Sequence, residues 1–182
     1  MVDNLLFNGS PKNSIGVEVE LQIVDSKTLA SSSGANLILN DLHYDLHIKQ
    51  ELLDSIIEIN TGVCENIDQV KHDLIVKINR VHQIARKYNL SLISLGSHPY
   101  SKWEDQQVTN NERYQQLLGQ IQWPLRRMLT TGVHVHIGID SGEKAIAICN
   151  ALKQFIPVMI AISANSPFFG GENTGLASTR SK

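Results

Sequence analysis

The chain has 182 residues, 42% of them apolar and 19% charged, with 16 basic and 18 acidic side chains for a formal net charge of −2. This composition describes a globular protein with one sizeable core, and one domain over 1–182 is expected. The balanced charge and 5% aromatic content exclude the electrostatic footprint of a dedicated nucleic-acid binder.

The opening MVDNLLFNGSPKN has neither a basic n-region nor a small-residue cleavage pattern, so export is not expected. The strand signal comes first at 15–24, where Ile15, Val17, Val19, Leu21 and Ile23 alternate with Gly16, Glu18, Glu20 and Gln22. The small polar stretch TLASSSGANL at 28–37 predicts an exposed loop. A second strand is predicted over roughly Ser55–Val63, with Ile57, Ile59 and Thr61 opposite Glu58 and Asn60. At 66–88, Ile67, Val70, Leu74, Ile78, Val81, Ala85 and Tyr88 recur at spacings of three and four, which predicts an amphipathic helix with Asn66 as N-cap and Asp68 complementing the dipole.

LSLISLGSHPY at 90–100 reads as a strand entering a turn, 109–122 as a helix, and Trp123-Pro124 as its boundary. VHVHIGI at 133–139 reads as a strand with Val133, Val135, Ile137 and Ile139 inward and His134 and His136 on the other face. Asp140 with Glu143 predicts a capping box for a deeply buried helix at about 141–156, continuing past a kink at Pro157. The apolar region 145–162 is interrupted by Asn150, Lys153, Gln154 and Pro157, so no membrane partner is expected. From Ser163 onward no strand or helix is predicted. The alternating strands predict an α+β fold on an antiparallel or mixed sheet with one polar face. Cys64 and Cys149, outside any CxxC pattern, are expected as reduced core thiols in the cytoplasm.

Glu18 and Glu20 share a strand face with Cα atoms about 6.5 Å apart. Two carboxylates so close raise each other's pKa unless a cation compensates, so they read either as a site for a hard divalent ion such as magnesium or as a solvated sheet face. His134 and His136 repeat the spacing and could serve as zinc ligands, phosphate donors or polar surface residues; Cys64 and His98 are available as further zinc ligands, but no spacing motif ties them to the pair. Glu58, Asn60 and Glu51 add acceptors, with Glu51 taken singly a solvated charge. Asn111, Glu112, Arg113 and Tyr114 read as an exposed helix start, and Arg180 as a phosphate clamp or a mobile terminal residue. Walker, Rossmann and GxSxG elements are absent, which leaves no nucleophile elbow and no P-loop.

Six blocks in order, IGVEVELQIV (15–24), ELLDSIIEINTGVC (51–64), LGSHPY (95–100), NERYQ (111–115), TGVHVHIG (131–138) and ISANSPFFGGENTGLASTR (162–180), resemble the bacterial carboxylate-amine ligases of the glutamate–cysteine ligase type 2 family. The resemblance implies a glutamine-synthetase-like curved antiparallel sheet, incomplete here, with helices packed on one face. It implies Glu18, Glu20, Glu58 and His134 as metal ligands, Glu51 as a weaker one, His136 as a contact to ATP phosphates, and Arg113 and Arg180 as contacts to anionic groups. The implied cofactors are ATP and Mg2+. The implied reaction joins a small-molecule carboxylate and an amine, glutamate and cysteine by default, through an acyl phosphate. Family members continue past the ASTR block, so the chain resembles an N-terminal portion. The alternative is a catalytically incompetent domain serving as a nucleotide- or metal-binding or assembly module. An open sheet edge makes a homo-oligomer the expectation under either reading.

Overall fold

The structure is a computed structural model that describes residues 7–10, 12–43, 45–122 and 129–179. Its centre is β1 (Ile15–Asp25), long enough to serve three neighbours. One edge pairs along Glu18–Gln22 with β3 (Ile56–Asn60), which in turn pairs with β2 (Ile48–Gln50). The other edge is divided: Ile15–Val19 pairs with β5 (Val133–Ile137), and Gln22–Asp25 pairs with β4 (Leu90–Ile93). Every pairing in this five-stranded sheet is antiparallel, in keeping with the α+β expectation.

The odd-numbered face of β1 carries the core. Leu21, Ile23, Ile57 and Ile59 pack against Ala35 and Ile38 of α1 (Ala35–Asp41) and Val81 and Ala85 of α2 (Ile67–Lys87). Transfer of these side chains from water is the main term holding helix to sheet. α2 starts where the sequence predicts, with the Asn66 side chain accepting from Gln69 N at 3.0 Å. Both helices lie on one face, so the opposite face is left for polar groups.

Several local expectations are corrected. The 28–37 stretch is not all loop: Ser31 bridges to Val24, and α1 begins at Ala35, with the Gly34 and Ala35 N–H groups donating to Asp54 O. The helix at 109–122 is α3 (Glu112–Ile121), capped by Asn111, while Trp123-Pro124 falls outside the described residues. Ser141 replaces Asp140 as the next N-cap because its hydroxyl accepts from Lys144 N at 3.3 Å. That helix, α4 (Gly142–Leu152), passes through a 3-10 turn at Lys153–Phe155 into α5 (Ile156–Ser163), so the chain departs from α-helix before Pro157. Beyond Ser163 a hairpin forms between β6 (Phe168–Phe169) and β7 (Glu172–Asn173), its turn made by Gly170 and Gly171 at φ 58° and 90°. Two successive positive φ values are the geometry that glycine supplies at no steric cost.

The largest departure concerns burial. Val133, Val135 and Ile137 are 57–60% exposed, and α4 and α5 have no buried residue. Cys149 on α4 is therefore exposed, whereas Cys64 is buried beside Val17 and Val70 as expected. Apolarity signals a need for cover, and no described element covers this side. The helical run Gly142–Ser163 is also long and apolar enough by length and composition to cross a membrane, despite its polar interruptions.

Candidate functional site

The even-numbered face of β1 gathers the polar residues through register. Glu18 lies directly opposite Asn60 on β3 and His134 on β5, Glu20 lies opposite Glu58, and Gly16 lies opposite His136. Cross-strand partners share a face, so three strands bring Glu18, Glu20, Glu58, Asn60, His134 and His136 to one side of the sheet. Glu51, just past β2, joins them.

Two subsets form within this face. Glu20, Glu51 and Glu58 each offer a carboxylate oxygen, all within 4.8 Å of one another. Gly132 N donates to Glu20 Oε2 at 2.7 Å, Asn60 Nδ2 to Glu58 Oε1 at 2.7 Å, and Leu52 N to Glu51 Oε2 at 3.2 Å. Lys49 Nζ lies 3.6 Å from Glu58 Oε1, but its side chain is largely open to solvent and its compensation is screened. Burial, a hydrogen bond with Glu58 and the charges of Glu58 and Glu20 push the Glu51 carboxyl up to about 7. Burial also raises the Tyr114 phenol, with Glu51, Glu58 and Glu20 adding to the effect.

The second subset is Glu18 with the two histidines. His134 Nδ1 donates to Glu18 Oε2 at 3.1 Å, and His136 Nε2 lies 3.3 Å from the same oxygen. Burial acts to raise the Glu18 pKa, but the hydrogen bonds and charges of His134 and His136 together outweigh it and leave the carboxyl below its ordinary range. A cavity of about 260 Å3, lined by Glu20, Glu51, Thr130 and His134 among others, lies between the subsets.

The donor set fits a hard divalent cation. It consists of carboxylate oxygens, which suit magnesium and do not suit a zinc site wanting nitrogen or sulfur. Asn60 Oδ1 is buried with no hydrogen-bond donor, as expected where an acceptor awaits a cation or a bound water. Glu18 and Glu20, the pair the sequence offers as sharing an ion, point their charges at different partners.

Of the remaining candidates, Arg113 is exposed on the first turn of α3, and Arg180 lies outside the described residues. His98 and Cys64 are not part of the site. His98 Nδ1 accepts from Ser101 N at 3.0 Å while its Nε2 donates to Leu29 O at 3.0 Å, and Cys64 packs in the core. Sequence reasoning missed Lys49 and Gly132 as site groups. Lys49 belongs to a three-residue strand too short to show a period, and Gly132 contributes only backbone, which no residue pattern reveals.

The sequence model of the glutamate-cysteine ligase family 2 (GCS2) matches residues 14–182. A protein named "Putative glutamate--cysteine ligase 2" in Thermobifida fusca is 41% identical over 181 residues, covering 96% of this chain and 45% of the relative. One of the same name in Gloeobacter violaceus is 38% identical over 180 residues, covering 97% of this chain and 48% of the relative. The chain thus spans about half the length of the curated relatives it matches. Among solved structures, a Francisella tularensis glutamate–cysteine ligase in complex with AMP matches with a TM-score of 0.48 at 14% identity, over 80% of this chain and 30% of that one. A bifunctional glutathione synthetase from Pasteurella multocida matches with a TM-score of 0.49 at 16% identity, over 80% and 19%.

Proposed function

Because this chain belongs to the glutamate-cysteine ligase family 2, we propose that its polar sheet face is the part of a carboxylate–amine ligase site where ATP activates a carboxylate for capture by an amine. The observation that carries this reading is the convergence of Glu20, Glu51 and Glu58 within 4.8 Å. Glutamate and cysteine are the substrates proposed, and the cytoplasm, which supplies ATP and reduced thiols, is the compartment the reading requires.

In the reaction proposed, a substrate carboxylate oxygen attacks the γ-phosphorus of ATP and ADP leaves. The amine nitrogen then attacks the carbonyl carbon of the acyl phosphate, phosphate leaves, and the amine gives up a proton. Neither step needs a protein nucleophile, which agrees with a site made of carboxylates and imidazoles. Glu20, Glu51 and Glu58 would hold magnesium, which when bound offsets the charge of the transferring phosphoryl group. The protein's own part is positioning. Gly132 N–H fixes Glu20, Asn60 fixes Glu58, and Glu18 orients both imidazoles from a single oxygen. His134 is proposed beside the metal, His136 toward the ATP phosphates, and Arg113 and Arg180 toward anionic groups arriving from outside. Glu51 must lose its proton to serve as a ligand, and without metal its carboxyl is raised to about 7, so magnesium binding is expected to weaken as pH falls.

A second reading, a domain that binds metal or nucleotide without turnover, is favoured by one observation. The apolar residues of β5, α4 and α5 stand open beside the site, so the wall on that side is incomplete among the described residues. ADP release from ATP with magnesium, glutamate and cysteine separates the two. The ligase reading expects release that requires both amino acids and is lost in a Glu18→Ala, Glu20→Ala variant. Nucleotide binding without release supports the second reading, and tight stoichiometric zinc with no response to ATP contradicts the ligase reading.

A further inference from the structure

α2 lies on the apolar face of the sheet, yet one of its side chains reaches the strand that carries Glu58. β2 begins at Ile48, opposite Ile59, so the ladder runs out beside Asn60. Asn60 N still donates to His47 O at 2.7 Å. The His47 N–H that a continuing antiparallel pair would return to Asn60 O is turned instead to Asp45 Oδ1 at 2.9 Å. The Asn60 carbonyl is left without a strand donor, and Lys77 supplies one, its Nζ donating to Asn60 O at 2.9 Å.

Lys77 is not an ordinary surface lysine. Its side chain is 13% exposed, and its ammonium also donates to Asp73 Oδ2 at 2.8 Å, one turn earlier on α2. The same Asp73 oxygen accepts from Gly62 N at 2.8 Å. Burial acts to raise the Asp73 carboxyl, but the hydrogen bonds from Lys77 and Gly62 and the Lys77 charge outweigh it and hold the carboxyl below its ordinary range. Between the two gripped residues, Thr61 N donates to Val17 O at 2.9 Å, and the Thr61 hydroxyl accepts from Val17 N at 2.9 Å. The end of β3 is thus pinned from one side by β1 and from the other by α2. Ordering and desolvating a long lysine side chain there carries a cost that a solvent-facing lysine avoids.

We infer that Lys77, locked by Asp73, is a positioning residue for the carboxylate cluster, setting the end of β3 and, through Asn60, the oxygen that Glu58 presents. The last link lies on the polar face, where Asn60 Nδ2 donates to Glu58 Oε1 at 2.7 Å. Fixing the Asn60 backbone fixes the origin of that side chain, and the hydrogen-bond partners of a metal ligand set its orientation. The inference rests on the reading that Glu20, Glu51 and Glu58 hold a divalent cation. It adds a residue on the opposite side of the sheet that touches neither metal nor substrate.

Lys77→Met removes the ammonium and keeps most of the apolar stem. In metal-free 15N spectra it should move the Asn60 side-chain amide signals and the Gly62 amide. In a Mn2+ titration followed by broadening of amides near Glu20 and Glu58, it should weaken binding about tenfold. Asp73→Asn keeps an oxygen for Gly62 N but not the charge that locks Lys77; it should act in the same direction by a smaller factor, and it carries the test if Lys77→Met does not fold. Lys87→Met removes another ammonium of α2, paired with Asp41 at 3.0 Å, and should leave both readouts unchanged. Urea unfolding of each variant separates positioning from stability. Asn60 side-chain signals that stay in place, Mn2+ affinity that is unchanged while stability falls, or equal weakening in Lys87→Met would overturn the inference. A wild type that binds no Mn2+ would refute the cation reading alone, and the Asn60 side-chain signals then decide whether Lys77 positions Glu58.

Discussion

Glutamine at position 51 should make the protein more stable at alkaline pH and leave it nearly unchanged in acid. Burial first, and then Glu58 and Glu20, raise the Glu51 carboxyl from its ordinary 4.5 to about 7. Between those values the folded chain keeps a proton that the unfolded chain has lost, so the stability tied to this group is fully present below 4.5 and is lost as pH rises through 7. The full difference corresponds to roughly 3 kcal/mol. Glu51 is partly open to solvent, and screening reduces the expected effect to about 1–2 kcal/mol. Urea unfolding followed by circular dichroism, from pH 4.5 to 9, should show the Glu51→Gln advantage growing up to about pH 7 and then levelling. Millimolar magnesium at pH 8 should narrow the gap by stabilising the wild type. An advantage that is constant across this range, or that shrinks as pH rises, refutes the claim that burial beside Glu58 and Glu20 raises the Glu51 carboxyl.

Further outcomes follow from the core and its open side. Both amide atoms of Gln22 are buried without hydrogen-bond partners, so Gln22→Met should raise stability by about 1–2 kcal/mol in the same unfolding assay. A thiol reagent should modify Cys149 rapidly in the native protein and Cys64 only after unfolding, which thiol counting with and without denaturant checks. Ile57→Ala should cost about 2–5 kcal/mol. By contrast, Ile146→Glu and Val158→Glu, at positions 65% and 56% exposed, should change stability by no more than about 0.5 kcal/mol, as paired denaturation curves would measure.

Elements with a sustained period were legible in the sequence. α2 shows apolar residues at spacings of three and four plus an Asn66 cap, and β1 alternates over ten residues, so both appear close to where the pattern puts them. α1 was not legible because it has seven residues in a small, polar neighbourhood, and what fixes it is non-local: Ile38 in the core and Asp54 O at its first turn. α4 and α5 show the opposite failure. Their apolar residues predict burial, but a sequence states the need for a partner surface and not its presence.

The site divides in the same manner. That Glu18 and Glu20 share a face follows from a two-residue period, but which carboxylate meets which partner depends on register between distant strands. Pairing Glu18 with His134 and Glu20 with Glu58 separates two groups that look equivalent along the chain. Glu51 lies outside any strand, and only the fold, through Thr109 Oγ1 donating to Glu51 O at 2.6 Å, sets it beside Glu58. Taken alone it reads as a solvated charge; in the structure it completes the carboxylate cluster.

Paramagnetic broadening by Mn2+, substituted for magnesium in an NMR titration, tests the convergence of Glu20, Glu51 and Glu58 most directly. The account predicts signal loss centred on amides near these three residues and His134, abolished by Glu20→Gln combined with Glu58→Gln. Broadening centred on other acidic positions such as Asp45 or Asp140, and insensitive to that double substitution, would contradict it.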